Sequence, residues 1–321
     1  MDNVLKVEGL KTHFFTESGT VRAVDGVDLS VGSGETIGLV GEIGSGKSMT
    51  AHSIMRLVPS PPGKIISGKV FFRGIDLLTI DESEMRKIRG DGISMVFQEP
   101  MTSLNPVYTI GEQISEVFRY HRDMSRGEIK EKSIDILRQV EIPSPEQRYN
   151  DYPHQLSGGM RQRVMIAMAL ALSPSLIIAD EPTTALDVTI QASILGLINK
   201  IKEEMKMSVI LITHDLGIVA EVAERVSVMY AGVIIEESNV EEIFKHPLHP
   251  YTQALLKSLP SRNMGSDRLF TIPGNVPKLS DLPTGCRFHP RCEHVMERCL
   301  VDEPVMTGEY PSSRVRCWLH N

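Results

Sequence analysis

Hydrophobic residues change their spacing along this chain, and the change separates strand-like stretches from helix-like ones. Short β-rich runs open the sequence, in "VLKVEGL", "AVDGVDLSV" and "ETIGLV". A helical stretch follows from about Lys47 to Leu57, and the Pro- and Gly-rich segment 59–63 predicts its end. Two further runs, "GKVFFRG" and "GISMVF", predict more strands.

The spacing becomes helical between about residues 110 and 140, where apolar residues recur three and four apart. We interpret about 100–165 as an inserted helical subdomain. Beyond it, the strand-like runs "SLIIAD" and "SVILIT" alternate with helical segments, which predicts βαβ crossovers and a parallel sheet. From about His246 the chain is rich in Pro, His, Arg and Cys. We therefore expect an α/β domain over 1–245 and a small appended domain over 246–321.

Composition narrows the class of protein. The chain has 321 residues, 41% of them hydrophobic and 23% charged, which is typical of an ordinary globular protein. Its 34 basic and 41 acidic residues leave a net charge of −7, which argues against a nucleic-acid partner. The start "MDNVLKVEGL" lacks the pattern of a signal peptide, and the longest apolar run, "VMIAMALAL", is far shorter than the ~20 residues of a membrane span. We therefore expect a cytoplasmic chain with reduced thiols.

The segment "GEIGSGKS" fits the phosphate-loop pattern, in which two glycines precede Lys and Ser. Gly44 and Gly46 let the backbone curl so that its N–H groups point at phosphate oxygens, and the following helix N-terminus adds favourable charge. Lys47 would reach the outer phosphates, and Ser48 would bind Mg²⁺. The alternative is a glycine-rich turn, but the strand before it and the helix after it favour a nucleotide site. The predicted nucleotide contacts here are Gly41, Gly44, Ser45, Gly46, Lys47, Ser48 and Met49.

A second acidic motif, "LIIADEP", follows a run of apolar residues that predicts a buried strand. Asp180 at the end of that strand would hold Mg²⁺ through water, and Glu181 is placed to polarise an attacking water. Two acids also open many ordinary loops, but the phosphate loop upstream favours the catalytic interpretation.

A further glycine motif, "LSGGMRQR", precedes the helical run "VMIAMALAL". Ser157, Gly158 and Gly159 at a helix start make a second anion site. A chain needs only one such site per nucleotide, so the second would serve a nucleotide held by a different subunit. A capping serine with turn glycines would explain Ser157 but not all eight residues.

Taken together, these motifs resemble those of the ATP-binding subunit of an ABC transporter. "LSGGMRQR" is similar to the signature motif of that family, Gln98 in "VFQEP" to its Q-loop, and Asp187 in "ALD" to its D-loop. His214 in "LITHD" matches its switch histidine. The motifs occur in family order over roughly residues 1 to 240. The resemblance implies an ABC-type phosphate-loop NTPase, with a parallel-sheet core, an antiparallel β subdomain and the inserted helical subdomain.

The resemblance also implies a mechanism. Two ATPase subunits face each other head to tail around two ATP molecules, and each γ-phosphate lies between Lys47 of one subunit and the Ser157 region of the other. Glu181 activates water, His214 supports the γ-phosphate, and Gln98 links Mg²⁺ to the helical subdomain. An aromatic residue stacks on adenine, for which Phe14 is the candidate, with the adjacent Phe15 as the alternative. The ATPases drive two membrane-spanning permease subunits from the cytoplasmic face of the membrane.

The tail narrows the resemblance to a subfamily. "HPLHPYTQALLKSLP", "IPGNVP" and "GCRFHPRC", together with "VFQEPMTSLNP", resemble the ATPases of dipeptide and oligopeptide importers. That subfamily usually pairs two different ATPase chains and works with an extracytoplasmic solute-binding protein. It also includes nickel and glycoside importers, so the cargo stays open.

ABC cassettes outside transport form the alternative class. In DNA-repair and chromosome-organising ATPases a very long coiled coil separates the two nucleotide motifs, whereas the stretch between Lys47 and Asp180 has only the length of a domain. Translation-factor ABC proteins carry two cassettes in one chain, and this chain has one. A regulator that only senses nucleotide would not need Glu181 or His214.

All four cysteines lie in the tail, spaced Cys286-x5-Cys292-x6-Cys299-x17-Cys317. Four thiolates would suit zinc or an iron–sulfur cluster. The spacing lacks the C-x2-C pairs of structural zinc sites, and nearby arginines would offset the charge of an anionic cluster. Free, inert cysteines are the third option. We predict a 4Fe–4S cluster that staples the tail, with zinc as the alternative and redox sensing as a second role. The arginines in question are Arg287, Arg291, Arg298 and Arg316.

Overall fold

The computed structural model describes residues 3–99, 103–184, 186–259, 270–308 and 313–320. The chain divides into two compact units. Unit one comprises Thr79–Ile210 with the short segments Met1–Val4 and Gly32–Glu35, and unit two comprises Leu5–Val31, Thr36–Leu78 and Leu211–Asn321. Within the described ranges, no helix combines the length and the apolar character that a membrane crossing requires.

Unit two contains an antiparallel sheet in the order β2-β1-β4-β5. Its strands are β1 (Asn3–Thr16), β2 (Gly19–Gly32), β4 (Gly63–Phe72) and β5 (Ile75–Asp76). The predicted early strands are therefore confirmed, and parts of β1 and β2 alternate between buried and more exposed residues, as in Val27–Val31. In the antiparallel pair of β1 and β4, Phe14 lies opposite Gly63.

Unit two also contains a mixed sheet, in the order β11-β10-β9-β3-β8. Every residue of β3 is buried, as expected for a parallel strand covered on both faces. The pairing of β3 with β9 is parallel, whereas β9, β10 and β11 pair antiparallel at the edge. The strands are β3 (Thr36–Val40), β8 (Ser208–Thr213), β9 (Arg225–Tyr230), β10 (Val233–Asn239) and β11 (Arg314–Val315).

The helices of unit two are short. They are α1 (Lys47–Ile54), α8 (Leu216–Val222), α9 (Val240–Lys245), α10 (Pro250–Lys257) and α11 (Glu297–Val301), with 3₁₀ turns at His289–Arg291 and Trp318–His320. The predicted helix after the phosphate loop is confirmed, but it ends at Ile54 rather than near Leu57. The chain leaves the helix before the prolines because Arg56 adopts a φ of 52°, in the left-handed region.

Unit one contains the strands β6 (Ile93–Val96) and β7 (Leu176–Asp180), and β6 runs parallel to β7. The prediction that "SLIIAD" lies in a parallel sheet is confirmed by this pair. The helices are α2 (Glu82–Asp91), α3 (Ile110–His121), α4 (Arg126–Gln139), α5 (Pro145–Arg148), α6 (Gly158–Leu170) and α7 (Val188–Met205), with a 3₁₀ turn at Pro153–Gln155. Helices α3 and α4 confirm the helical pattern of residues 110–140. Ser125 caps α4 reciprocally with Glu128, so α4 begins as a separate helix there.

The tail shares a hydrophobic core with the edge of the sheet in unit two. Phe288, from the cysteine-containing segment, lies with its ring centroid 5.3 Å from that of Tyr230 in β9 and 5.4 Å from that of Tyr251 in α10. All three rings are buried. Burial of aromatic rings of this size contributes strongly to stability, so the aromatic cluster anchors the tail to the strand that also supports the phosphate loop.

Candidate functional site

The loop between β3 and α1 has the path that the phosphate-loop pattern predicts. Gly44 and Gly46 have φ angles of 81° and 108°, a region that glycine enters without steric cost. A Cβ atom on Gly46 would lie 2.3 Å from the carbonyl oxygen of Ala23, and one on Gly41 would lie 2.2 Å from that of Met229. The loop backbone therefore packs so closely on β2 and β9 that larger residues are excluded.

Two side chains of this loop fit an anionic ligand. Lys47 is only 5% exposed, and its Nζ donates to the carbonyl oxygens of Gly41 (2.8 Å) and Glu42 (3.1 Å). The Ser45 hydroxyl oxygen is buried and has no hydrogen-bond partner among the described residues. Buried polar atoms normally have partners. A cation over loop carbonyls and a buried hydroxyl with unused hydrogen-bonding capacity are suited to phosphate oxygens.

The two candidate aromatic residues occupy opposite faces of β1. The hydroxyl of Thr12 lies 2.7 Å from that of Ser53 in α1, so Thr12 and, two residues on, Phe14 are on the face of β1 that contacts α1. The ring of Phe14 also lies against Gly63, where a Cβ would approach it to 2.8 Å. Phe15 points to the other face and is 53% exposed. This placement favours Phe14 as the adenine contact, which stays a prediction.

In unit one, the two acidic residues lie at the end of β7. Asp180 is the last residue of the strand and is buried. Glu181 is 9% exposed and has a φ of 45°, which is uncommon for a residue with a side chain. Its carboxylate accepts hydrogen bonds from the Gln98 amide and from the Thr184 hydroxyl, each at 2.9 Å. The structure thus brings together Gln98 and Glu181, which the sequence indicated as separate motifs, and adds Thr184.

Two helix N-termini in unit one carry the remaining predicted contacts. Ser157 caps α6 by accepting from the Met160 N–H (3.3 Å), and Asp187 caps α7 by accepting from the Ile190 N–H (3.0 Å). Ser157, Gly158 and Asp187 are exposed. Gly159 is buried, and a Cβ there would lie 2.9 Å from Cγ2 of Ile190. Helix α6 therefore presents an open N-terminus of the kind that binds anions.

The predicted residues are distributed over both units. Unit two contains Phe14, Lys47, Ser48 and His214. Unit one contains Gln98, Ser157, Asp180, Glu181 and Asp187. His214 directly follows β8 and is exposed. The next residue, Asp215, caps α8 by accepting from the Gly217 N–H at 2.7 Å, which fixes the turn that carries His214.

The prediction of a 4Fe–4S cluster in the tail is wrong, and the zinc alternative fails with it. All four cysteines lie within the described residues and are free, and that part of the chain contains no group of three or more His, Cys, Asp or Glu side chains arranged to hold a metal ion. Burial raises the pKa of the Cys286 thiol to about 11 and also raises those of Cys292 and Cys317. In the metal-free chain these three thiols are therefore protonated near neutral pH.

The arginines around the cysteines have other partners. Arg287 donates to the Asp25 carboxylate and Arg291 to the Glu42 carboxylate. Arg298 lies over the ring of Trp318, and Arg316 donates to backbone carbonyls. Arg287, Arg291 and Arg316 thus attach the tail to earlier residues of unit two, so their charges are used in contacts other than those with the thiols.

Comparisons with known protein families agree with this geometry. The ABC transporter family matches residues 24–184, and the family described as the C-terminal region of oligopeptide/dipeptide transporters matches residues 235–299. The first match includes the phosphate loop and the acidic pair, and the second includes the segment that contains Tyr251 and Arg291.

Individual proteins are similar over the full length. The chain is 50% identical to the oligopeptide transport ATP-binding protein AppD of Bacillus subtilis, over 100% of this chain and 98% of that protein. It is 49% identical to the dipeptide transport ATP-binding protein DppD of Escherichia coli, over 98% and 96%. Among solved structures, it is similar to the dimeric ABC transporter cassette MJ0796 bound to ADP and Pi, with a TM-score of 0.66 and 32% identity over 74% of this chain and 98% of that one.

Proposed function

Because this chain belongs to the ABC transporter family, within its oligopeptide and dipeptide group, we propose that it is the ATP-hydrolysing subunit that energises import of dipeptides or oligopeptides. The observation that carries the proposal is the hydrogen-bonded pair of Gln98 and Glu181 at the end of β7. A carboxylate held in place by two donors is suited to orient and deprotonate water. A protein that only binds nucleotide would have no use for it.

We assign the phosphate contacts to the loop before α1. The backbone N–H groups of this loop and the N-terminus of α1 carry partial positive charge, which favours a bound anion. Lys47 adds a cation and Ser45 adds a hydroxyl donor. Ser48, Gln98 and Asp180 are the proposed ligands for Mg²⁺, since hydroxyl, amide and carboxylate oxygens are the donors that this ion prefers. Bound Mg²⁺ would neutralise charge on the phosphate oxygens.

Glu181 is the proposed general base of the hydrolysis. Gln98 and Thr184 both donate to its carboxylate, so the group is fixed in one orientation. The left-handed backbone at Glu181 is of the kind that structures retain at functional positions. His214 is the proposed support for the γ-phosphate, since an exposed imidazole can donate a hydrogen bond to an anion.

A second ATPase subunit is the proposed partner across the nucleotide. Ser157 and Gly158 stand exposed at the N-terminus of α6, although the loop before α1 already supplies one phosphate site. The second anion site is therefore assigned to a nucleotide of the opposing subunit, in a head-to-tail dimer that we expect to contain two different ATPase chains. The isolated chain would then be a weak ATPase.

Permease subunits are the second class of proposed partner. Unit one carries an open groove of about 430 Å³ whose wall includes Met95, Val96, Phe97, Tyr120 and Met165. Phe97 and Tyr120 are exposed large rings, and exposed apolar patches of this kind mark protein interfaces. We assign this groove to an apolar segment of a permease subunit, which would place the chain at the cytoplasmic face of the membrane, with a solute-binding protein on the other side.

The cargo is tested by reconstituting the chain with its permease subunits, partner ATPase and solute-binding protein. Uptake of labelled dipeptides, longer peptides and Ni²⁺ is compared in the same vesicles. ATP-dependent peptide uptake without Ni²⁺ uptake supports the proposal. Ni²⁺ uptake without peptide uptake would indicate instead that the chain energises a nickel importer of the same family.

A further inference from the structure

The phosphate loop is attached to the C-terminal segment through one residue, Glu42. The two terminal nitrogens of Arg291 donate to the two carboxylate oxygens of Glu42, at 2.8 and 3.1 Å. The Glu42 N–H donates to the Tyr251 hydroxyl at 2.9 Å. Its carbonyl oxygen accepts from Lys47 Nζ at 3.1 Å. Each polar group of Glu42 is thus engaged, two of them by residues from beyond position 245.

Arg291 is itself held rigidly. Its side chain is only 3% exposed, and its guanidinium lies over the rings of Tyr230 and Phe288. The Nε atom donates to the carbonyl oxygen of Pro273 at 2.9 Å. A planar guanidinium fixed by these contacts can orient a carboxylate through two parallel hydrogen bonds, which a flexible lysine cannot do.

The charge of Glu42 makes this contact relevant to nucleotide binding. Glu42 is part of the loop whose N–H groups face phosphates, so an unpaired carboxylate there would repel the ligand. Arg291 neutralises that carboxylate and holds it on the side of the aromatic cluster. Arg287 makes a parallel attachment nearby, since it donates to the Asp25 carboxylate and to the Ala231 carbonyl oxygen, both at 2.6 Å.

We propose that Arg291 is a positioning residue for nucleotide binding, because it neutralises Glu42 and fixes the phosphate loop to the C-terminal segment. This inference rests on the proposed function, since it assumes that the loop binds a nucleoside phosphate. It assigns to the tail a role in the affinity for nucleotide. Tyr251 supports the same loop through the Glu42 backbone.

The test is a double-mutant cycle on the full chain, with Mg-ADP binding measured by calorimetry. Arg291→Gln leaves the Glu42 carboxylate unpaired, so we expect binding weaker by on the order of tenfold, the scale of one charge-assisted interaction. Adding Glu42→Gln removes the repulsive charge. The double variant should therefore recover most of the lost affinity, a non-additive result that general damage to the tail would not produce.

Two further variants keep the test informative. Arg298→Gln removes a partly exposed tail arginine that lies over Trp318, and it should bind Mg-ADP like wild type. Arg291→Lys keeps a cation at the buried position but loses the bidentate geometry, so it should bind severalfold more weakly than wild type. If Arg291→Gln does not fold, Arg291→Lys takes its place as the variant that tests the positioning role.

The outcomes separate the two hypotheses. If wild type does not bind Mg-ADP, the proposed function fails. If wild type binds while Arg291→Gln and Arg291→Lys bind equally well, the positioning role is overturned and the proposed function stands. The positioning role is also overturned if Arg291→Gln weakens binding but Glu42→Gln restores nothing.

Discussion

The side-chain amide of Gln98 donates a 2.9 Å hydrogen bond to the carboxylate of Glu181. Gln98 follows β6 and Glu181 follows β7, two adjacent parallel strands of unit one. The carboxyl ends of parallel strands meet at one edge of a sheet, which is where α/β proteins bind their ligands. The pair therefore joins the proposed base to the segment that leads into the helical subdomain.

Glu181→Gln should bind Mg-ATP but hydrolyse it more slowly by about 10²–10⁴-fold, the usual contribution of a general base. Binding rests on Lys47 and the loop amides, which the change leaves in place. Single-turnover hydrolysis and nucleotide affinity are to be measured on the same preparation, with Glu203→Gln, an exposed change on α7, as the control. Wild-type turnover by Glu181→Gln would show that another group is the base.

Thr184→Val should lower kcat for ATP on the order of tenfold with little change in KM. The variant keeps the shape of the side chain but removes the hydroxyl that donates to Glu181 at 2.9 Å, and one hydrogen bond to a charged group contributes about 1.5–3 kcal/mol. Steady-state ATPase kinetics on the assembled transporter are the measurement, and Thr189→Val on the exposed side of α7 is the control. Equal losses in both variants, or none in Thr184→Val, would argue against the role of Thr184.

Much of this site is predictable from the sequence because its signals are local. The glycine spacing of the phosphate loop follows from backbone angles that only glycine adopts cheaply, as at Gly44 and Gly46. The strand that ends at Asp180 is visible as an apolar run. Thr184 was missed because a threonine in a loop carries no pattern of its own, and only the geometry shows that its hydroxyl reaches Glu181.

The wrong prediction lies in the tail, where contacts join positions that are far apart in the sequence. Arg291 and Glu42 are 249 positions apart, so no local pattern connects them. The four cysteines lie close together in sequence, which suggested a shared ligand. Sequence spacing does not report how the four thiols are arranged in space, and among the described residues no group of side chains is arranged to hold a metal ion.

His249 should make the stability of the protein sensitive to acid. Burial, with a smaller contribution from the charge of His320, lowers its pKa from 6.5 to about 3. The His249 imidazole of the unfolded chain is therefore protonated as pH falls below about 6.5, whereas that of the folded chain stays neutral down to about pH 3. The free energy of unfolding should fall as pH decreases through this window, by at most about 1.4 kcal/mol per pH unit, and should be unaffected by His249 above it.

Denaturant unfolding of wild type and His249→Asn across that window measures the effect. Asparagine can still cap α10, as the His249 ring does when its Nδ1 accepts from the Tyr251 N–H. Burial raises the pKa of the neighbouring Glu236 above its ordinary 4.5. This shift lowers the free energy of unfolding as pH rises above 4.5, which is the opposite of the pH dependence expected from His249. The difference between the two proteins isolates His249. Identical acid slopes would contradict its assignment as a buried neutral imidazole.

Cys286 should react slowly with alkylating reagents in the folded protein. The pKa of this thiol is about 11, compared with an ordinary 9.0. At any pH below both pKa values, the thiolate fraction in the folded protein is therefore lower by on the order of 100-fold. The rates of iodoacetamide labelling at Cys286 are measured by mass spectrometry for the folded chain in buffer and for the unfolded chain in urea. Equal rates in the folded and unfolded chain would mean that the thiol is not protected.

ATP-driven peptide uptake by proteoliposomes is the decisive measurement, with the complex carrying either wild-type chain or Glu181→Gln. The complex contains the permease subunits, the partner ATPase and the solute-binding protein. We expect uptake of a labelled dipeptide or oligopeptide that requires ATP and falls with Glu181→Gln in proportion to the loss of hydrolysis. Uptake that proceeds equally well without ATP, or unchanged in Glu181→Gln vesicles, would contradict a role for this chain as the ATPase that energises import.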